Sequence, residues 1–310
     1  HVKAGVILSL CTLLLGVIFL SPLLSSSTGL VAAVGLGLLV WLISIGDALM
    51  SARKLGEIEL RRYNKIALYV VLYVAATLSS PLASATAKSL LGGAFGTRVT
   101  PSMSMAPTLV VGDTFFAGPL PLTGGAASRG EILIFGSPHD PNMDLVKRVI
   151  GLEGDVLEIR DGRLFVNDEP VPRCHLGAYR VTETNPLTGA PEVLGGELFL
   201  EYLGGRTYPV LINERNGNWG PERVAPGQVF FIGDNRFNSR DSRYFGGIPL
   251  EYLRSRPLYR FERKSADSGF GFDQFGMSLY NAEHGLGSFR EAIERCRSNG
   301  FPNESSDDVD

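Results

Sequence analysis

The sequence predicts a mainly antiparallel β domain carried on an N-terminal α-helical membrane anchor, and three observations predict it. Apolar residues crowd into the first third of the chain, in runs as long as a bilayer crossing. From Val110 onward they come in short runs punctuated by Gly, Pro and Asp, the pattern of strands and tight turns. An Asp-Gly pair then sits between two alternating strand-formers in VLEIRDGRLFVN, a strong local hairpin signal.

The 310 residues, 45% of them hydrophobic, suffice for one or two domains with a sizeable core. A formal net charge of −3 gives no overall basic field, and no run of like charges forms an arm, so nucleic acid is excluded as a partner. The mean hydropathy of +0.11 is high for a soluble chain and owes its value to the N-terminal third, which points to membrane lipid.

Residues 1–91 form the expected anchor, with spans at 4–24, 29–50 and 66–84. The first run is nearly unbroken aliphatic sequence, long enough for the roughly 20 residues that cross a hydrocarbon core. Ser25 to Thr28 could imitate a signal-peptide cleavage site, but a second apolar run follows at once, which favours a helical hairpin joined by SSST. The third run carries Tyr69 and Tyr73, residues suited to the bilayer interface. Between the second and third runs, the loop 51–65 holds Arg53, Lys54, Arg61, Arg62 and Lys65 beside the helix ends, which orients it to the cytoplasm. Everything after about Lys88 then lies on the far side of the membrane.

The β domain is expected over 92–262. EILIF and QVFFI read as buried strands, VLEIRDGRLFVN as a hairpin about Asp161-Gly162, and FLEYLGGRTYPVLI as another about Gly204-Gly205. The segment 170–227 is rich in Pro, Gly and Asn and reads as a surface elaboration. The tail 263–310 is polar, with one short helix in GSFREAIERCRS, and is expected to be dispensable for catalysis. Cys11 lies in an apolar run, and Cys174 and Cys296 lie far apart, so at most one disulfide forms outside the membrane; sequence alone leaves that pairing open.

Three segments carry chemistry: PSMSMAPTLVVGD, then RGEILIF with MDLVKRVIGLEGD, and finally IGDNRFNSRDSRYFGGIP. If 145–150 is a strand, Lys147 shares a face with Leu145 and Val149. An ammonium on that apolar face is desolvated, which lowers its pKa and leaves a neutral amine that can serve as a general base. The alternative is a lysine snorkelling past its neighbours. His139, His175 and His284 stand in no motif, and a Ser-Lys pair needs no histidine.

These segments resemble the boxes of the type I bacterial signal peptidases. PSMSMAPTL is similar to the family's P-S-x-S-M-x-P-T-L box, DLVKRVIGLEGD to its lysine box, and GDNRFNSRDSRYFGGIP to its G-D-N-R-x-N-S-x-D-S-R box. The resemblance covers roughly Val99 to Phe261. It implies a signal-peptidase-like β fold in which Ser104 is the nucleophile, Lys147 the general base and Ser239 the group that orients the lysine amine. It also implies oxyanion donors from the Ser104 N–H and the Ser102 hydroxyl. Met105, Pro107, Arg148, Gly233, Asp234 and an Asp241–Arg243 pair are expected to brace the site, and Leu109, Val146 and Val99 to line shallow substrate pockets. Met103 stands where the family often has glycine and is expected to narrow or reshape the cleft near the oxyanion donors; Phe237 stands where a carboxylate is common, and Glu153 where proline is.

The resemblance further implies removal of signal peptides after small-x-small motifs. The enzyme would be a multi-pass protein of the bacterial inner membrane with its catalytic domain outside the cytoplasm, linked to the export machinery and using no metal or organic cofactor. A Ser-Lys peptidase dedicated to one secretion, pilin or conjugation substrate is the nearest alternative. A catalytically silent scaffold is a third.

Overall fold

The computed structural model describes residues 96–120, 125–140, 142–184, 189–214, 217–262, 276–280, 286–298 and 300, with scattered helical positions between 28 and 50. Two compact units divide the chain, 1–94 and 95–310. In the first, the expected spans 4–24 and 66–84 and the basic loop 51–65 lie outside the described residues. The run 29–50 is described at a few helical positions, where Val31, Leu38, Leu39, Leu42 and Ile43 are exposed. Among the described residues no helix is long and apolar enough to cross a membrane.

The second unit is built of antiparallel strands. In chain order these are β1 (Gly96–Val99), β2 (Thr114–Pro119), β3 (Ile132–Gly136), β4 (Asp144–Gly151), β5 (Val156–Arg160), β6 (Arg163–Val166) and β7 (Glu169–Pro170). There follow β8 (Arg173–Thr184), β9 (Pro191–Leu203), β10 (Arg206–Ile212), β11 (Trp219–Arg223), β12 (Gln228–Ile232), β13 (Ile248–Pro249) and β14 (Leu253–Glu262). A seven-stranded sheet runs β1-β2-β14-β3-β4-β12-β13, beside a three-stranded sheet β10-β9-β8 and a four-stranded sheet β11-β5-β6-β7. A short helix α1 (Ser242–Phe245) follows β12, and α2 (Arg290–Ser298) lies near the C-terminus.

ILIF and QVFFI carry no polar alternation because both faces of their strands are covered. On β3, Ile132 and Ile134 pack with Met105, Leu109 and Phe115, whereas Leu133 and Phe135 pack with Val149 and Phe231. Phe135 and Phe231 stack with ring centroids 4.2 Å apart. On β12, Phe230 and Ile232 turn the other way, into a cluster with Leu157, Ile159, Tyr208 and Val210. The hairpin about Asp161-Gly162 is present: Arg160 pairs with Arg163, and the two turn residues have φ of 48° and 70°, the positive pair that a two-residue loop of this hand requires. The hairpin about Gly204-Gly205 is likewise formed, joining β9 to β10.

One expectation is corrected. The segment 170–227 is no surface elaboration: Tyr208, Val210 and Ile212 of β10 are buried in the cluster with Phe230, and Leu211 packs beside the turn that bears Ser104. Its Gly and Pro content hid a twelve-residue strand, β8, paired along the length of β9. The helix expected in the polar tail forms as α2 and buries Ile293 and Cys296 against Leu198 and Leu200 of β9, and Cys296 is joined to Cys174 of β8 in a disulfide with Cα atoms 6.0 Å apart. The polar face of α2 dominates its composition, so the narrow apolar stripe was easy to overlook.

Candidate active site

Ser104 sits in a single 3-10 turn, Met103–Met105, just after β1. The loop closes on itself: Thr100 N–H donates to Asp113 O at 2.9 Å, and Gly112 N–H returns to Thr100 O at 2.9 Å. Leu109 N–H reaches Met105 O at 2.9 Å, and the Ala106–Pro107 peptide within this turn is cis. The loop after β12 holds the turn from outside, with Asn235 N–H donating to Ser104 O and the Asn235 side-chain amide to Met103 O, both at 3.1 Å. A serine in such a frame has little freedom to misplace its hydroxyl.

Lys147 lies on β4 opposite Leu133 of β3, and its own-face neighbours Leu145 and Val149 belong to the apolar cluster around Phe135. It does not snorkel: the residue is 4% exposed. Its Nζ donates to Ser104 Oγ at 2.6 Å and to Val146 O at 3.1 Å. Desolvation by burial is the largest influence on the amine, opposed by the charges of Asp241 and Asp234 and aided by Arg243, and it pushes the pKa down to about 8. Ser102 Oγ lies 3.1 Å from Ser104 Oγ. A neutral amine at this separation has a lone pair for the serine proton, so the pair can generate a nucleophilic oxygen.

Ser239 departs from expectation. Its Oγ is buried and, among the described residues, makes no hydrogen bond, so it does not hold the Lys147 amine; the lysine tip is instead directed to Ser104 and the Val146 carbonyl. The residue is nevertheless adjacent to the nucleophile's main chain. A Cβ placed on Gly233 would collide with Ser239 Oγ and Ser104 O, which explains why only glycine fits there.

Behind the turn lies a buried ion pair. Arg148, next to Lys147 on β4 and facing the other way, donates to both carboxylate oxygens of Asp234 at 2.7 and 2.6 Å, and to Gly130 O at 2.7 Å. Its guanidinium sits 4.2 Å over the Tyr208 ring, and the Thr108 hydroxyl donates to Asp234. Asp234 is therefore an anchor between three segments. Asp241 and Arg243 pair at 2.8 and 2.9 Å, and Asp241 also accepts from Gly233 N–H at 2.9 Å and from the backbone N–H of Arg243 at the start of α1.

The apolar candidates separate. Leu109 is fully buried beside Met105 and Phe115, and Val146 packs at the edge of the same cluster, while Val99 on β1 is 61% exposed. Leu109 thus offers no open wall to a pocket: it lies in the core. Met103 is buried as well, with Ala106, Val110, Val111 and Leu211. Phe237 packs on that cluster in place of a charged brace.

Three residues of the site escaped sequence reasoning. Arg236 and Glu201 form a buried ion pair between the loop after β12 and β9. Arg260 of β14 donates to Thr108 O at 2.6 Å. A glutamate among the leucines of FLEYL was the one local hint, because a charge in an apolar strand needs a partner. Nothing in the sequence named a partner 35 residues away.

The profile of the family described as "Signal peptidase, peptidase S26" matches residues 71–261. The chain belongs to this family. Among curated relatives, it is similar to "Signal peptidase I" of Rickettsia massiliae (strain Mtu5), 37% identical over 125 residues that cover 40% of this chain and 47% of that protein. It is also similar to "Signal peptidase I" of Pseudomonas fluorescens, 38% identical over 175 residues, covering 51% and 58%. The chain thus spans about half the length of the curated relatives it matches. A crystal structure of a signal peptidase I from Enterococcus faecalis V583 is 24% identical, covers 41% of this chain and 93% of that one, and superposes with a TM-score of 0.24. Within the family match lie all three boxes, from Ser102 to Arg243, and the strands that bring them together.

Proposed function

We propose that this chain is a membrane-bound serine endopeptidase that removes N-terminal signal peptides from exported preproteins, with Ser104 as nucleophile and Lys147 as general base. The observation that carries this reading is the 2.6 Å contact between a buried Lys147 amine and Ser104 Oγ. Membership of the signal peptidase family supports the substrate class.

The chemistry follows from the geometry. Neutral Lys147 takes the Ser104 proton as the oxygen attacks the carbonyl carbon of the scissile bond. The Ser104 N–H and the Ser102 hydroxyl stabilise the oxyanion that develops. Lys147 then gives its proton to the leaving amine of the mature protein, and an ester remains between Ser104 and the signal fragment. Water, deprotonated by the same lysine, hydrolyses that ester and frees the serine. Cleavage after small-x-small motifs fits a site with an aliphatic neighbour in Val146.

Anchoring by helices at 4–24, 29–50 and 66–84 would place enzyme and signal peptide in one bilayer, which raises their effective concentration without any new contact. Exposed Val31, Leu38, Leu42 and Ile43 on helical positions of the second span support lipid contact. The disulfide supports an extracytoplasmic β domain in the inner membrane, within reach of the export machinery, because such bonds persist in oxidising compartments.

The test uses the purified chain in detergent with several unrelated preproteins. Cleavage of all of them after small-x-small sites, lost in Ser104→Ala, is expected. Acceptance of a single substrate would make this a dedicated peptidase instead, and full activity in Ser104→Ala would refute the mechanism.

A further inference from the structure

Tyr179, on β8, is the residue at which two apolar clusters meet. On one side it packs on the cluster of Met103, Ala106, Val110, Val111 and Leu211, to which the Ser104 turn contributes Met103. On the other it packs on the cluster of Leu198, Leu200, Leu286, Ile293 and Cys296, with its ring centroid 6.1 Å from that of Phe289. The C-terminal segment 286–298 brings Leu286, Phe289, Ile293 and Cys296 to this second cluster, and a nine-residue helix such as α2 has little stability of its own. What ties it down covalently is the Cys174–Cys296 bond to the strand that carries Tyr179. Polar contacts fix the other side of the same turn, from Asn235 to Ser104 O and Met103 O.

We propose that Tyr179 is a positioning residue for Ser104, and that the disulfide-anchored segment 286–298 sets its place. The segment supports Tyr179 from behind, Tyr179 supports the cluster that holds Met103, and Met103 precedes the nucleophile. The inference rests on the proposed peptidase reading and deepens it, giving the tail a part in catalysis that its polar composition does not suggest. A nucleophile backed in this way is held against small displacements, and a displacement of about 1 Å is enough to cost roughly 100-fold in rate.

The experiment compares kcat and KM for preprotein cleavage by the full chain, its Tyr179→Ala and Tyr179→Phe variants, and a Cys174→Ser/Cys296→Ser variant. Tyr179→Ala is expected to lower kcat by roughly tenfold or more with KM little changed, and Tyr179→Phe, which keeps the ring, to restore it. Loss of the disulfide should lower kcat in the same way, and the triple variant should be no worse than the more severe of the two. The acid limb of the pH profile should not move, because Lys147 is desolvated from the β3 side. Should a variant fail to fold, the folded wild-type protein is treated with excess dithiothreitol, which converts the bond to two thiols and the reagent to its cyclic disulfide. An unchanged kcat after thiol titration confirms reduction would overturn the proposal, as would a Tyr179→Ala effect confined to KM. A wild-type chain that cleaves no preprotein would instead refute the peptidase reading, so the two failures are distinguishable.

Discussion

Burial of Lys147 against Leu133 and Val149 removes water from its amine, and the carboxylates of Asp241 and Asp234 only partly restore the charged form. With the pKa pushed down to about 8, the fraction of free base rises as pH passes through that value. The kcat/KM profile should therefore climb tenfold per pH unit below about 8 and level off above it, provided that Lys147 is the base. A profile flat well into acid would assign the proton transfer to another group. The same shift has a consequence for stability. The unfolded chain holds the lysine proton up to its ordinary value of 10.5 and the folded chain only to about 8, so the unfolded state binds more protons in that window. The Lys147 contribution should thus make the domain more stable as pH rises from about 8 towards 10.5, a trend that Lys147→Met abolishes in chemical denaturation run across that range.

At the scale of elements, the site is a junction of the 3-10 turn, β4 and the loop after β12, and the junction is built on Arg148–Asp234 and Gly233. Both partners of the ion pair are 1% exposed, so removing one leaves an uncompensated buried charge. Asp234→Ala should cost about 3–5 kcal/mol, read from the denaturant midpoint, with activity lost in parallel. Gly233→Ala acts differently. Its Cβ meets the Ser104 carbonyl and Ser239, so the substitution should displace the nucleophile and lower kcat far more than it lowers the melting temperature. A substitution at Gly227, whose surroundings are open, tests that contrast: its φ of 71° strains any side chain, so stability falls while the catalytic turn is untouched.

On the scale of the whole β unit, the Cys174–Cys296 bond closes a loop of sequence separation 122 and fastens the C-terminal helix to β8. Opening it should lower the stability of the domain by about 2–5 kcal/mol, measured as a fall in melting temperature on adding reductant. The sheet arrangement explains how distant boxes converge. β3, β4 and β12 are neighbours in one sheet although β12 follows β4 by some eighty residues, and the intervening chain forms the two smaller sheets. That intervening chain returns Glu201, Tyr208 and Leu211 to the back of the site, so the excursion completes the site from behind.

Local chemistry made several features legible from residues alone: the positive-φ turn at Asp161-Gly162, the two-sided burial of ILIF and QVFFI, the short helix at 290–298, and the shared apolar face of Leu145, Lys147 and Val149. Each depends on neighbours within a few positions, where backbone sterics and side-chain period act directly. Tertiary structure decided what depends on partners far along the chain. It joined Arg148 to Asp234 and Arg236 to Glu201, left the Ser239 hydroxyl off the lysine, turned Leu109 and Met103 inward, and closed Cys174 on Cys296. A buried charge or thiol announces its need for a partner in the sequence, but the sheet order alone determines which distant residue meets it.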